Sequence, residues 1–344
     1  MKHQLTLFLL FFLGWNITTY GQHNYTLKNL SRDNITSLSV QTSGGSISVV
    51  GVPQSEAHIE MIVQPNGNKY KNLSKEEIDQ LLEKDFDIVT ELGGKHLNVS
   101  AKPKKKTNWN SPISISFKAY VPKNVSSELK TSGGSIRLEN LTGKQNFATS
   151  GGSIRISLVD GELNGRTSGG SIHISDSKNS AVLLTSGGSI QAENHVGNLR
   201  LSTSGGSIKL SNLDGSIEAK TSGGSITATD ISGDLLASTS GGSVRVSKMS
   251  GNLEASTSAG GVDVSMIQVD KYIKLSTSAG AVNLNLPSGA NKLDLDLKGN
   301  RVNIPTITGF NGSSSKSRVQ GSTNGGGTLI SASTSVGSVN LSFN

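Results

Sequence analysis

The sequence predicts an all-β protein: a parallel β-solenoid (β-helix) of 18-residue coils, with a small helix-containing excursion near the N-terminus and a C-terminal cap. Three observations carry this. The motif Thr-Ser-Gly-Gly-Ser-Ile at residues 131–136 returns with its threonine at Thr149, Thr167, Thr185, Thr203, Thr221, Thr239 and Thr257, always 18 residues on. A fixed period of this size marks stacked repeats. Within each unit the apolar residues alternate at a spacing of two, the period of a strand. Aromatic residues make up only 4% of the chain while glycine reaches 41 residues, which suits a thin layered core better than a broad globular one.

The chain divides into four parts. Residues 1–21 read as a secretory signal peptide: Lys2 precedes the apolar run Leu5 to Trp15, and Thr19 and Gly21 suit a small-residue cleavage site. That run is too short to span a bilayer, and no later segment approaches the length required. The expected location is therefore exported: periplasmic, cell-surface or secreted, with no transmembrane segment once the signal is removed. Cysteine is absent, which excludes disulfides, thiolate metal sites and thiol catalysis.

Residues 22–130 hold an early copy of the motif at Thr42 and then an excursion rich in proline, with Pro53, Pro65, Pro103, Pro112 and Pro122. Ser74 and Glu77 have the spacing of a capping box, and Leu73 and Ile78 that of a hydrophobic staple, so a short helix begins here with Ile78, Leu81 and Leu82 on its apolar face. Alternation in Phe86 to Val89 and Leu97 to Val99 around Gly93-Gly94 predicts a hairpin. The run Lys102-Pro103-Lys104-Lys105-Lys106 reads as a solvated loop.

Residues 131–286 form the regular solenoid. Counting each unit from its threonine, position 6 is Ile or Val, and position 8 is apolar in nearly every unit; positions 11, 15 and 17 are often apolar. Slips of phase between 3 and 6 and between 8 and 11 mark corners. Position 3 becomes Ala259, Ala279 and Val336 in later copies, so it needs only a small residue. Position 4 stays glycine, which means either that no side chain fits or that φ is positive. A second corner near position 13 uses Gly143, Gly161, Gly197, Gly215, Gly233 and Gly251. The alternation 15, 17, 1 points the threonines inward, which argues against a water-ordering threonine array. Residues 287–344 break the period with Pro287, Pro305 and two Ser/Gly-rich stretches, and form a cap whose last strand, Val339 to Phe343, is expected to cover the open end.

Little in the chain points to catalysis. None of the six histidines is spaced as a metal pair, and the aspartates are divided between position 12 (Asp160, Asp214) and position 10 (Asp176, Asp230), with no single column such as calcium ladders require. Neither a nucleophile elbow nor a phosphate-binding loop occurs. No cofactor is expected and the protein is read as no enzyme. The alternative is a carbohydrate-active β-helix enzyme with its acids in the excursion (Asp85, Asp87, Glu91) or in the C-terminal cap. The net charge of +7 is too mild and dispersed to signal nucleic acid.

One column stands out. Position 7, facing solvent if 6 and 8 face the core, holds Arg137, Arg155, His173, Gln191, Lys209, Thr227 and Arg245. Five of these, Arg137, Arg155, His173, Lys209 and Arg245, are basic or can become so, and they are the candidate ligand-binding residues, with acidic glycans or other cell-surface components as partners. The same cations would also solubilise a sheet and discourage lateral pairing; both roles stand open. Oligomeric state is open as well.

The early Thr42 copy, the helix-bearing excursion and the serial copies from Thr131 together resemble the putative adhesin family of the domain-of-unknown-function 4097 type, over roughly Leu38 to Phe343. The resemblance implies a β-solenoid at the cell envelope with an adhesin-like role. It brings no catalytic residues with it.

Overall fold

In the computed structural model, which describes residues 22–104 and 111–344, equal positions of successive units lie directly on one another. Ile154 pairs with Ile136 on one side and Ile172 on the other, and the column runs on through Ile190, Ile208, Ile226, Val244 and Val262, all by parallel pairing. The result is nearly all-β, one long and mostly parallel sheet that winds as a β-solenoid without closing into a barrel. Positions 6 and 8 point into the core from one face, positions 15 and 17 from a second, and position 11 from a narrow third side. Where a large ring enters this core the next coil makes room: a Cβ on Gly165 would lie 1.9 Å from the Phe147 ring below it.

Three corners turn each coil. At the first, the position-1 threonine is buried. Its hydroxyl donates to the position-4 carbonyl of the preceding coil, as Thr185 does to Gly170 at 2.8 Å, and accepts the N–H of Gly188 in its own coil at 3.3 Å. A Cβ on Gly188 would lie 2.1 Å from the Gly170 carbonyl oxygen. Of the two reasons the sequence left open for this glycine, crowding is the operative one in the regular coils: positive φ at position 4 is reached at Gly280 and Gly337, in the late copies. At position 3, a Cβ on Gly187 would meet nothing nearer than 3.6 Å, in keeping with Ala259 and Ala279.

The second corner, at position 10, is left-handed in the seven units that begin at Thr131 through Thr239. Asn140, Asp176, Asn194, Asn212 and Asp230 have φ between 50° and 60°, and Leu158 and Lys248 share the conformation. Asn and Asp tolerate it best. Their side chains also ladder, Asn212 Nδ2 donating to Asn194 Oδ1 at 2.8 Å and Asn194 to Asp176 at 2.9 Å. The third corner, at position 13, is a positive-φ glycine in the later units, such as Gly215 at 132°, with Asn179 at 76° standing in once.

Both ends are built by folding the interruption outward. The early copy, Ile47–Val52, has Ile136–Glu139 on one side and Ile113–Pro122 from the excursion on the other. Beyond these lie antiparallel strands: His58–Pro65 and then His23–Asn29 on one face, Phe86–Gly93 on the other. The helix Lys75–Asp85 begins at the expected capping box, Glu77 N–H donating to Ser74 Oγ at 3.2 Å and Ser74 N–H to Glu77 Oε2 at 2.8 Å. It buries Ile78 and Leu82, and Tyr25 ties the outermost strand to it through a 2.6 Å bond to Asp79. The hairpin turning at Gly93-Gly94 forms as expected.

At the other end one expectation is corrected. The strand Ser338–Phe343 does not cover the opening. It lies between Val282–Leu286 and Arg301–Asn303, because its alternation matches the preceding motif copy and stacks on it in register. The covering is done by Arg301–Asn303 and by the antiparallel hairpin Phe310–Ser314 with Arg318–Thr323. Short or antiparallel edge strands at both ends discourage end-to-end sheet pairing. The expected signal peptide, residues 1–21, and Lys105 and Lys106 lie outside the described residues. No helix among those described is long and apolar enough to cross a membrane.

Candidate functional site

On the first face, positions 6 and 8 go down into the core and positions 7 and 9 stand up from it. The pairing register puts all five nominated residues in one row: Arg137 beside Arg155, then His173, Gln191, Lys209, Thr227 and Arg245, each on the next rung. Rungs are about 4.8 Å apart, so these are near neighbours. Their surroundings differ. Arg137 is held by Glu139, Nη2 to Oε2 at 2.8 Å, and Arg245 Nε lies 3.8 Å from Asp263 Oδ2. Arg155 and Lys209 are exposed and have no salt-bridge partner among the described residues, while His173 and Gln191 are half-buried between them.

The second face handles its charges otherwise. There Glu218 sits between Arg200, at 3.6 Å, and Lys220, and these two cations hold its carboxyl below the usual range, the Lys220 hydrogen bond contributing most. Like charges on directly opposed strands are destabilising. The second face avoids that by mixing signs; the first face keeps Arg137, Arg155 and His173 on successive rungs.

Beyond Arg245 the row changes character. It continues through Asp263, Asn283, Asn340 and Asn303, and the side chains join: Asn283 Nδ2 donates to Asp263 Oδ1 at 2.6 Å, Asn340 to Asn283 at 2.7 Å, and Asn303 to Asn340 at 2.6 Å. Beside it, position 9 shrinks to Ser247 and Ser265 and then becomes Asn285 and Ser342. Between the two rows opens a cleft of about 470 Å³. The position-7 column as read from sequence stops at Arg245, but Asn283 and Asn340 occupy position 7 of the copies at Thr277 and Thr334, so the signal was present.

The chemistry of the remaining polar groups is limited. Asp87 lies 3.9 Å from Lys104, on the terminal hairpin of the second face and away from this cleft, whose lining carries one carboxylate, Asp263. A serine–histidine pair does exist: Ser177 Oγ lies 2.8 Å from His195 Nδ1, at position 11 of adjacent coils. Both are buried, at 1% and 0% exposure, so no substrate reaches them. Burial pushes the His195 imidazole pKa down, and its Nε2 has no hydrogen-bond partner among the described residues. Among the described residues no group of His, Asp and Glu is arranged to hold a metal ion.

The sequence profile of the Toastrack DUF4097 family matches residues 184–342. No curated protein matches the chain. Among solved structures, a putative cell adhesion protein from Clostridium sporogenes ATCC 15579 is similar at 9% identity and a TM-score of 0.26, covering 94% of this chain and 99% of its own. A putative adhesin from Bacteroides fragilis NCTC 9343 is similar at 12% identity and a TM-score of 0.27, covering 93% and 95%. The family match over residues 184–342 takes in the polar row from Gln191 to Asn340.

Proposed function

We propose that the chain is a non-enzymatic, exported surface protein that binds acidic glycans along its first face. The observation that carries this reading is the row itself: basic residues 18 positions apart stand on consecutive rungs, and Arg155 and Lys209 have no acidic partner among the described residues. An extended polyanion lying along the solenoid axis meets Arg137, Arg155, His173 and Lys209 in turn, through charge-assisted bonds stronger than neutral ones. Strands hold these groups at fixed spacing, so little ordering is required on binding. An adhesin-like role at the cell envelope, which the family resemblance implies, is compatible with such a surface.

What supports the absence of catalysis is the composition of the cleft. Glycoside hydrolysis in most families uses two carboxyl groups flanking the bond, and the cleft offers Asp263, itself engaged by Asn283. Binding of the wild type and of the triple variant Arg137→Glu, Arg155→Glu, Lys209→Glu to an array of sulfated and uronate glycans tests the reading. Loss of at least about tenfold in affinity, with wild-type binding weakened by salt, is the expected result. Undiminished binding by the variant overturns it.

A further inference from the structure

We propose that the cleft at the C-terminal end of the first face is a second subsite, one that takes the hydroxyl groups of an uncharged sugar chain. It rests on the reading of the first face as a glycan-binding surface, but on different residues and different chemistry.

The argument starts from what the amides have left over. An asparagine side chain offers two N–H donors and an oxygen with two lone pairs. Asn283 spends one donor on Asp263 and one lone pair on Asn340. Asn285 spends one donor on Asn344 and one lone pair on Ser342 Oγ, at 3.2 Å. Each keeps one N–H and one lone pair. The two stand two residues apart on the strand Val282–Leu286, on its outer side, one in each row that walls the cleft. A sugar hydroxyl both donates and accepts, so neighbouring hydroxyls on a ring match two such amides.

Charge selects the class. Arg245 is the cation of this cleft and Asp263 lies 3.8 Å from it, so nothing remains uncompensated to favour a sulfate or carboxylate. A peptide is disfavoured by the floor, which is the surface of a sheet whose backbone groups are already paired with the next rungs. Among the described residues no aromatic ring lines the cleft to stack on a sugar, so affinity comes from hydrogen bonds to amides that the ladder has already fixed in place. That spares ordering entropy but leaves each contact weak. A glycan with neutral and acidic stretches would engage cleft and cation row together and gain by avidity.

Calorimetric titration with linear neutral hexasaccharides of glucose and of mannose tests the proposal on the full chain, using Asn283→Ala/Asn285→Ala, Ser265→Tyr and Arg155→Glu/Lys209→Glu. Ser265→Tyr fills the trough from a half-buried rim position while leaving both amides in place, so it answers the case in which the double alanine variant unfolds. At least one hexasaccharide should bind the wild type with little dependence on salt. It should bind about tenfold more weakly to each of the first two variants, and unchanged to Arg155→Glu/Lys209→Glu. Failure of both hexasaccharides to bind the wild type overturns the proposal, as does binding that survives both cleft variants. Binding that falls with salt and with the charge reversal overturns it too, by assigning the sugar to the cation row. Neutral binding with no acidic-glycan binding would sink the proposed function and leave this subsite standing; the reverse result would do the opposite.

Discussion

Two columns of the same solenoid behave in opposite ways. The position-4 glycine never changes from coil to coil, whereas position 7 changes at almost every rung, through Arg, His, Gln, Lys, Thr, Asp and Asn. The difference lies in what each column faces. Position 4 is pressed against the carbonyl oxygen of the coil before it, 2.1 Å from where a Cβ would sit at Gly188. Position 7 faces solvent, with positions 6 and 8 carrying the core on either side. The corner therefore holds the coils together and the face is free to vary; stability and recognition are assigned to separate columns.

Gly188→Ala should break the corner most severely, with a loss of about 3 kcal/mol because the opposing atoms are backbone and cannot give way. Chemical denaturation of the two proteins measures it. Thr185→Val should cost about 1–2 kcal/mol by the same measurement, since it strands the Gly170 carbonyl and the Gly188 N–H inside the corner.

The third prediction concerns a buried column in which polar groups interrupt apolar ones. Position 11 runs Leu141, Val159, Ser177, His195, Leu213. Burial lowers the folded-state pKa of His195, so the unfolded chain takes up the proton first. Stability is then complete above the unfolded value of about 6.5 and falls as the pH drops from there through the folded value. Thermal melts should show that fall in the wild type and a smaller one in Ser177→Val/His195→Leu, which restores an apolar column. An identical pH dependence in both would remove His195 as its source.

The smallest effects belong to the sites that tolerate change. Gly187→Ala, one residue before the intolerant glycine, should shift stability by less than about 1 kcal/mol and could raise it by stiffening the unfolded chain. Reversing Arg155 and Lys209 should leave stability within about 0.5 kcal/mol, whatever it does to binding.

Much of this was legible before any coordinates. The period, the columns at 6 and 8, the inward threonines and the capped helix at Ser74 all follow from spacing, because stacking makes residues distant in sequence into equals in space. The cation row was legible for the same reason. The amide row was missed where spacing failed: Asn283 lies 20 residues after Asp263 and Asn340 lies 57 after Asn283, so a count of 18 loses the column. The left-handed column at position 10 was hidden by its mixture of Asn, Asp, Leu and Lys, which share a backbone conformation but no side-chain chemistry. The order of strands at the ends was not legible at all. Nothing in a connecting segment says whether it returns on the inner or the outer side of the copy it interrupts.

That outward folding at both termini leaves the middle units bounded only by others like themselves. A duplicated or deleted stretch of 18 residues between Thr203 and Thr257, clear of the matched pairs Phe147–Gly165 and Ser177–His195, would join seamlessly, each new seam meeting the same threonine and glycine and an Ile or Val at position 6. Such a change would alter the reach of the rod by about 4.8 Å per unit and leave either terminus undisturbed. Variants of this chain differing only in how far they extend would be expected to fold equally well, and a ruler of adjustable length is within easy mutational reach.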